Sequence, residues 1–425
     1  MIRLLSPFAR RLLDAVRGRL RPEHGQGEDW ELAELLGRPA VNLDTPELQR
    51  FLAGKVVLVT GAGGSIGSEI CRQVMKFCPR RLLLVDRAEN ALFEIDRELR
   101  ERWVAGDVAP LVADVGDAAR VAWVFETYQP HVVFHCAAHK HVPMMELNPG
   151  EAVKNNVFGT KTVADAAAAC ESCTGFVMVS TDKAVNPTSV MGATKRCAEL
   201  YIQSLNGEGS GVRGQGSQEA DSPTTRFLAV RFGNVLGSSG SVVPIFRKQI
   251  EAGGPVTVTH PEMKRYFMTI PEASGLVMQA GAIGQGGEIF VLDMGEPVRI
   301  VDLAREMIAR RGLRVGTDID IRITGIRAGE KLYEELAGEG ERTRPTSHAK
   351  IRVWELPAAN PQHVGRMLAE LEEAVQGPRQ RVIQALRRAV PEYRPDGAAG
   401  LAPVEQQPVV SSPPLRLVPA ATRAA

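Results

Sequence analysis

The segment Val177–Lys195, VMVSTDKAVNPTSVMGATK, concentrates residues able to move protons. An apolar run over Phe176–Ser180 predicts a short buried strand, which opens into Thr181, Asp182 and Lys183. A turn through Asn186 and Pro187 then leads into a predicted helix carrying Met191 and Lys195. Four residues apart, these two share one helix face, about 6 Å apart along the axis. Nucleotide-binding sheets place ligands at the carboxyl ends of their strands, where Thr181, Asp182 and Lys183 would sit. A hydroxyl, a carboxylate and an amine at that position make this stretch a candidate active site.

The elements that must position it follow a strand, turn, helix rhythm. The short run Lys55–Val59 leads into Thr60-Gly-Ala-Gly-Gly-Ser-Ile-Gly67, then a helix with apolar Ile70, Val74 and Phe77, then a strand from Leu82 closing at Asp86. This is a dinucleotide-binding βαβ unit, with Gly61, Gly64, Ser65, Ile66 and Gly67 expected around a pyrophosphate at the helix N-terminus. Asp86, 19 residues past Gly67, is placed for the ribose hydroxyls of an adenosine. A carboxylate there favours NAD, whereas Arg87 beside it could pair with the 2′-phosphate of NADP; NAD is the preferred reading.

A third strand is expected to end across Leu111–Val115, with Asp114 and Val115 near the adenine, and a fourth across His131–His135. Ala137 and Ala138 after it are small enough for close cofactor approach, and His139, Lys140 and His141 follow in a loop. The two histidines have no acidic or cysteine partners nearby, so polar contacts are expected and no metal. The next helix is expected to begin at Asn155-Asn156 and to turn alanine-rich from Ala164. Further strands are read at Phe227–Arg231 and Ile289–Leu292.

The fold class is therefore α/β, a Rossmann-type doubly wound parallel sheet with a smaller C-terminal substrate-binding lobe. The dinucleotide domain spans 54–235 with a return strand in 268–294, and the lobe is expected from 236–267 and 295–353. A helical segment covers 354–390. The tail 391–425, with seven prolines, is expected to be disordered, as is the Gly/Ser-rich loop 206–225.

Residues 1–53 read as a basic amphipathic helix followed by a linker that ends in a short helix near Thr45–Leu52. Six arginines and Asp14 within the first 22 residues leave a balance of about +5. Over residues 7–21, Phe8, Leu12, Val16 and Leu20 form an apolar side, the pattern of a helix lying on an anionic membrane; packing on a neighbouring subunit is the alternative. Overall the 425 residues carry a net charge of +1, with 44% hydrophobic and 24% charged content, so nucleic acid is not an expected partner. The six cysteines have no disulfide-scaffold spacing. No secretory signal and no run of about 18 apolar residues is present, which points to the cytoplasm, with the inner membrane face as an option. Cys170-Glu-Ser-Cys173 is read as packing ahead of redox or metal chemistry.

The motifs TGAGGSIGSEI, AAHKHVPMMELNP, NNVFGTKTV, STDKAVNPTSVMGATK, RFGNVLGSSGSVVP, RYFMTIPEA and RAGEKLYEEL, in this order, resemble the nucleotide-sugar 4,6-dehydratases of the extended short-chain dehydrogenase/reductase superfamily. Within them the chain is similar to the polysaccharide-biosynthesis branch acting on UDP-N-acetylglucosamine, over about residues 38–352. Long members of that branch carry upstream transmembrane helices, which are not expected in this sequence. Most of the superfamily has Tyr-x-x-x-Lys where this chain has Met191-Gly-Ala-Thr-Lys195. A thioether has no proton to give, so Met191 is neither acid nor base.

The resemblance implies an NAD(P)-dependent loss of water from a UDP-N-acetylhexosamine. Asp182 is expected as the acid for the departing 6-hydroxyl and Lys183 as the base at C5, its pKa lowered by burial and by Lys195. Thr181 would bond the 4-keto oxygen, and Lys195 the nicotinamide ribose, with Lys140 and Asn156 also at the cofactor. His141, Asn234, Ser241, Arg265, Arg327 and Glu330 are the substrate-binding candidates. A homo-oligomer is expected. A UDP-sugar epimerase and a non-catalytic NAD or nucleotide-sugar sensor are the alternatives.

Overall fold

The computed structural model describes residues 45–206, 225–336, 342–355 and 359–395. The proposed basic helix at 7–21, most of the 206–225 loop and the tail beyond 395 lie outside the described residues.

Seven apolar runs pair in parallel to form the centre of a nine-stranded sheet. Along the sheet these are β3 (Val108–Val112), β2 (Arg81–Asp86), β1 (Val56–Thr60), β4 (Val132–His135), β5 (Gly175–Val179), β6 (Arg226–Arg231) and β11 (Ile289–Leu292). Every residue of β1 is buried, because helices cover both faces of the sheet and no polar side is needed. Val56 and Leu58 point into one core, Val57 and Val59 into the other. Each such side chain contributes about 1.5–3 kcal/mol by leaving water.

One face packs against α1 (Pro46–Leu52), α2 (Ser65–Met75), α3 (Glu89–Arg102) and α10 (Ile270–Ile283). The other is covered by α4 (Ala118–Tyr128), α7 (Gly159–Ala169), α8 (Val190–Ser204), α12 (Pro361–Ala374) and α13 (Arg379–Ala389). Strand order reverses between β1 and β4, which opens a crevice at their carboxyl ends.

A third core gathers α9 (Val242–Glu251), β8 (Val256–Val258), α11 (Ile300–Arg310) and β13 (Ile321–Ile323) over that crevice. The expectation that residues up to 353 join this lobe fails at its end. β14 (Arg342–Pro345) and β15 (Ile351–Glu355) form an antiparallel hairpin that extends the main sheet, β15 pairing with β11. Ile351, Val353 and Trp354 are buried there, and that apolar area is available only on the sheet.

Three other boundaries differ from expectation. β3 ends at Val112, so Asp114 sits in the following turn, while Val115 is buried in the core against Gly159. The helix expected from Asn155 starts earlier, as α6 (Pro149–Val153), and runs through one π-helical turn (Lys154–Phe158) into α7. Residues 391–395, expected to be disordered, are packed: Tyr393 is buried, and Arg394 N donates to Pro187 O at 2.8 Å. Among the described residues no helix is long and apolar enough to cross a membrane. Cys170 and Cys173 are both buried free thiols.

Candidate active site

The loop after β1 carries the clearest geometric constraint. Gly67 lies so close to Gly61 that a Cβ on it would stand 2.0 Å from the Gly61 carbonyl oxygen. Gly61 has φ +65° and sits against the Ala137 backbone after β4, so the two strand ends touch through atoms with no side chain between them. Gly64 is the N-cap of α2 and offers no side-chain cap, which leaves the first amides of the helix for an anion. Asp86 holds this loop with one oxygen, accepting from Gly63 N, while its other oxygen accepts from Ala88 N in its own turn, at 2.9 Å each. Arg87 pairs with Asp114 at 3.5 Å and contacts His139 at 3.1 Å. The donor set therefore fits a dinucleotide pyrophosphate.

Behind this loop runs a buried chain of hydrogen bonds. Ala137 N donates to Thr60 Oγ1 at 3.3 Å, and Thr60 Oγ1 lies 2.8 Å from His135 Nδ1. His135 Nε2 lies 2.9 Å from Thr160 Oγ1, which donates to Asn156 O at 2.8 Å. Burial pushes the His135 pKa down to about 3, so the ring is neutral and links the two hydroxyls in one direction.

Asn156, expected at the cofactor, has its amide fully engaged elsewhere. Its Oδ1 accepts from His139 N and Asn155 Nδ2, and its Nδ2 donates to His139 O and Thr194 Oγ1. It clamps the 139–141 loop to α8.

A cavity of about 930 Å³ opens from the glycine loop toward the smaller lobe. Of the sequence candidates, Gly61, Gly64, Ser65, Ile66, Gly67, Ala138, Lys140, His141, Thr181, Lys183, Met191 and Lys195 line it, as do Asn234, Ser241, Arg265, Arg327 and Glu330. Asp86, Arg87 and Asp114 do not line it; Asp86 meets the glycine loop through Gly63 N, and Arg87 pairs with Asp114. Asp182, 2% exposed, stands one layer behind the wall and touches it through Thr181 and Lys183.

The 181–183 turn is tied tightly to α8. Ser189 caps that helix, accepting from Gly192 N at 3.1 Å. A Cβ on Gly192 would meet the Lys183 carbonyl oxygen at 2.1 Å, so only glycine lets the turn rest on the helix. Met191 and Lys195 follow, both buried. Burial lowers the Lys195 pKa to about 8.

Thr181 Oγ1 donates to Asp182 Oδ1 at 2.9 Å, and Lys183 Nζ reaches the same oxygen at 3.0 Å. Lys183 also bonds Glu334 Oε1 at 2.7 Å and Asn234 Oδ1 at 3.3 Å. The expected lowering of the Lys183 pKa is overturned. Burial pulls it down, but Asp182 and Glu334 together hold it above the ordinary lysine value. The Asp182 pKa rises as well: burial first, then the charge of Glu334, push it up to about 7.

Glu334 was missed from sequence because YEEL offers two adjacent carboxylates with no sign of which turns inward. The side chain of Glu334 is 3% exposed and that of Glu335 45%.

The substrate candidates divide. Arg265 lines the cavity, but its guanidinium is committed to Lys264 O, Lys331 O, Leu332 O and Glu334, so it braces the wall and has little left for a diphosphate. Arg327 and Glu330 pair with each other at the rim, the guanidinium exposed. Ser241 is the N-cap of α9 without a capping bond, and its buried Oγ has no partner. That helix start is an anion-binding arrangement. His141 packs under Gly240 of the same loop. Among the described residues no group of three His, Cys, Asp or Glu side chains could hold a metal.

Residues 57–355 match the family model described as polysaccharide biosynthesis protein. The capsular polysaccharide biosynthesis protein CapD of Staphylococcus aureus is 56% identical over 312 residues, covering 73% of this chain and 50% of CapD. The chain thus spans about half the length of the curated relatives it matches first. A UDP-N-acetylglucosamine 4,6-dehydratase (inverting) of Campylobacter jejuni is 32% identical over 285 residues, 66% of this chain and 77% of that protein. Among solved structures, Pen from Bacillus thuringiensis aligns with TM-score 0.64 and 35% identity, covering 72% of this chain and 89% of Pen. DesIV, a dTDP-glucose 4,6-dehydratase from Streptomyces venezuelae with NAD bound, shares the fold at TM-score 0.54 and 20% identity, covering 67% of this chain and 88% of DesIV. The chain belongs to the polysaccharide biosynthesis protein family, a CapD-like branch of the extended short-chain dehydrogenases/reductases related to the UDP-N-acetylglucosamine 4,6-dehydratases.

Proposed function

We propose that this protein dehydrates a UDP-N-acetylhexosamine, UDP-N-acetylglucosamine in the first instance, to a UDP-4-keto-6-deoxy sugar for surface glycan synthesis. The observation that carries the reading is the Thr181-Asp182-Lys183 cluster. Thr181 and Lys183 line the cavity that also takes in the glycine loop and the N-terminus of α9, with Asp182 directly behind them, and elimination needs both an acid and a base. The relationship to the Campylobacter jejuni dehydratases supports it.

NAD is the cofactor in this reading, held by the glycine loop, Asp86 and Lys195. Once bound, it supplies the acceptor and donor of the hydride that leaves C4 and returns at C6. Arg87 is already paired with Asp114, so a 2′-phosphate would have to displace that carboxylate; tighter binding of NAD than NADP in direct titration is the expected result.

Asp182 can hold a proton near neutral pH and pass it toward the 6-hydroxyl, either directly or through the Thr181 hydroxyl it already contacts. Lys183 acts as base at C5 only after substrate entry breaks its bond to Glu334, which holds it as an ammonium in the unliganded site. Met191 contributes apolar contact and no proton.

A second reading, UDP-sugar epimerase, is favoured by the Rickettsia UDP-glucose 4-epimerases, 32% identical over 290 residues in one case. An epimerase conserves mass and has no use for an acid directed at C6. Purified protein with NAD and UDP-N-acetylglucosamine should give a product lighter by one water in mass spectrometry. Asp182→Asn and Lys183→Ala should abolish that product while retaining NAD binding. Product of unchanged mass would instead establish epimerisation, and near-normal dehydration by both variants would remove these residues from the mechanism.

A further inference from the structure

Glu334 reaches the catalytic wall from the smaller lobe, and the chemistry outlined above gives it no step of its own. Its Oε1 accepts from Lys183 Nζ at 2.7 Å and Arg265 Nε at 3.1 Å, and its Oε2 from Asn234 Nδ2 at 3.0 Å. Lys183 Nζ is also 3.0 Å from Asp182 Oδ1, so one ammonium lies between two buried carboxylates. Asp182 Oδ2 is buried near Gly233 and Tyr266 and meets no donor.

Two carboxylates in such a site do not both carry full charge at low cost; the less compensated one keeps a proton. Compensation here is unequal. Glu334 has a guanidinium, an amide and the shorter bond to Lys183. Asp182 has a hydroxyl and the longer one.

We propose that Glu334 is a positioning residue whose fixed negative charge, anchored by Arg265 and Asn234, keeps the transferable proton on Asp182 beside the sugar site. The use of that proton rests on the dehydratase reading; the charge balance does not. The direction of the shifts agrees. Burial pushes Glu334 up, but Lys183 and then Arg265 outweigh this and hold it at about 2, while Asp182 rises to about 7. The other groups facing this cluster are Thr181 and Lys183 on the same turn, Arg265 behind Glu334, and Tyr266. The Tyr266 phenol is pushed up by burial, then by Glu296, Asp182 and Glu334. Replacing Glu334 by glutamine removes one negative neighbour and leaves Lys183 and Arg265 less neutralised. Both changes lower the Asp182 pKa.

The test uses the full chain as wild type, Glu334→Gln, Glu334→Asp and Asp182→Asn. The protonated-carboxyl infrared band that Asp182→Asn deletes is titrated in the absence of substrate. In the wild type it should vanish through about pH 7. In Glu334→Gln it should vanish lower by on the order of one unit or more. Glu334→Asp, which keeps the charge one methylene further back, should move it less in the same direction, and it serves if the glutamine variant does not fold.

The near-neutral ionisation in the pH dependence of UDP-N-acetylglucosamine dehydration should move down with the band. An unmoved band, or a uniform loss of turnover with the profile in place, would make Glu334 a structural brace and overturn the proposal. Absence of dehydration by the wild type would instead defeat the functional reading, and the infrared titration would still decide the role of Glu334.

Discussion

Two buried carboxylates, Glu199 within α8 and Asp182 on the turn packed against it, are treated by the molecule in opposite ways. Glu199 is saturated: Ser180 Oγ and Arg231 Nε each reach it at 2.6 Å, and Arg196 Nη1 at 3.3 Å. The Arg231 guanidinium lies 3.5 Å over the Trp354 ring, and Arg196 continues to Glu392. Burial alone would raise the Glu199 pKa, yet Arg231 outweighs it and the group stays below its ordinary value. Asp182, on the turn packed against α8, shares a single ammonium with Glu334 and keeps one oxygen without a donor. A saturated buried charge makes a rigid joint; an unsaturated one retains a proton that can be moved. The first ties the β15 edge and the C-terminal segment to α8, and the second stands one layer behind the cavity wall, in contact with Thr181 and Lys183.

That contrast can be broken most forcefully at Glu199. Glu199→Ala leaves Arg231 buried beside an empty space and should cost about 3–5 kcal/mol in urea unfolding. Loss of under about 1 kcal/mol would mean the knot is not a joint. Asp182→Asn should carry no such penalty, since it removes a poorly compensated charge.

A smaller effect sharpens the same point through pH. Folded Asp182 holds its proton up to about 7, against 3.8 as the ordinary value. The folded state therefore binds more protons than the unfolded state between those limits, and this group's contribution to stability falls as pH rises through the window. The difference in unfolding free energy between wild type and Asp182→Asn should follow that slope; a pH-independent difference would contradict it.

The smallest change is expected at the outer end of the knot. Glu392 is 37% exposed, so Glu392→Gln should cost no more than about 1 kcal/mol in the same unfolding assay.

Much of the fold was legible because parallel strands buried on both faces read as unbroken apolar runs, as in Leu82–Val85. The glycine loop was legible because its spacing answers a backbone contact, Gly67 against Gly61 O, that no other residue permits. β14 was not: Arg-Thr-Arg-Pro has no apolar alternation, and it becomes a strand only because β15 offers it an edge. The π turn at Lys154–Phe158 was hidden for a similar reason, since its residue types suit an α-helix equally well. At the site, Thr181, Lys183, Met191 and Lys195 were brought together as expected. The charge state of Lys183 was not legible, because it depends on Glu334, about 150 residues away in the chain. Separations of 66 and 67 residues likewise concealed that Arg265 is committed to the carbonyls of Lys331 and Leu332.

The hairpin that completes the sheet also sets what its border offers to another strand. Its outermost strand shows Arg342 and Arg344 to solvent and ends in Pro345, which has no amide hydrogen; the opposite border strand carries Pro110. A second molecule aligned along either margin would find an interrupted ladder and, on one side, guanidinium facing guanidinium. Ribbon-to-ribbon fusion between copies is therefore discouraged at both ends.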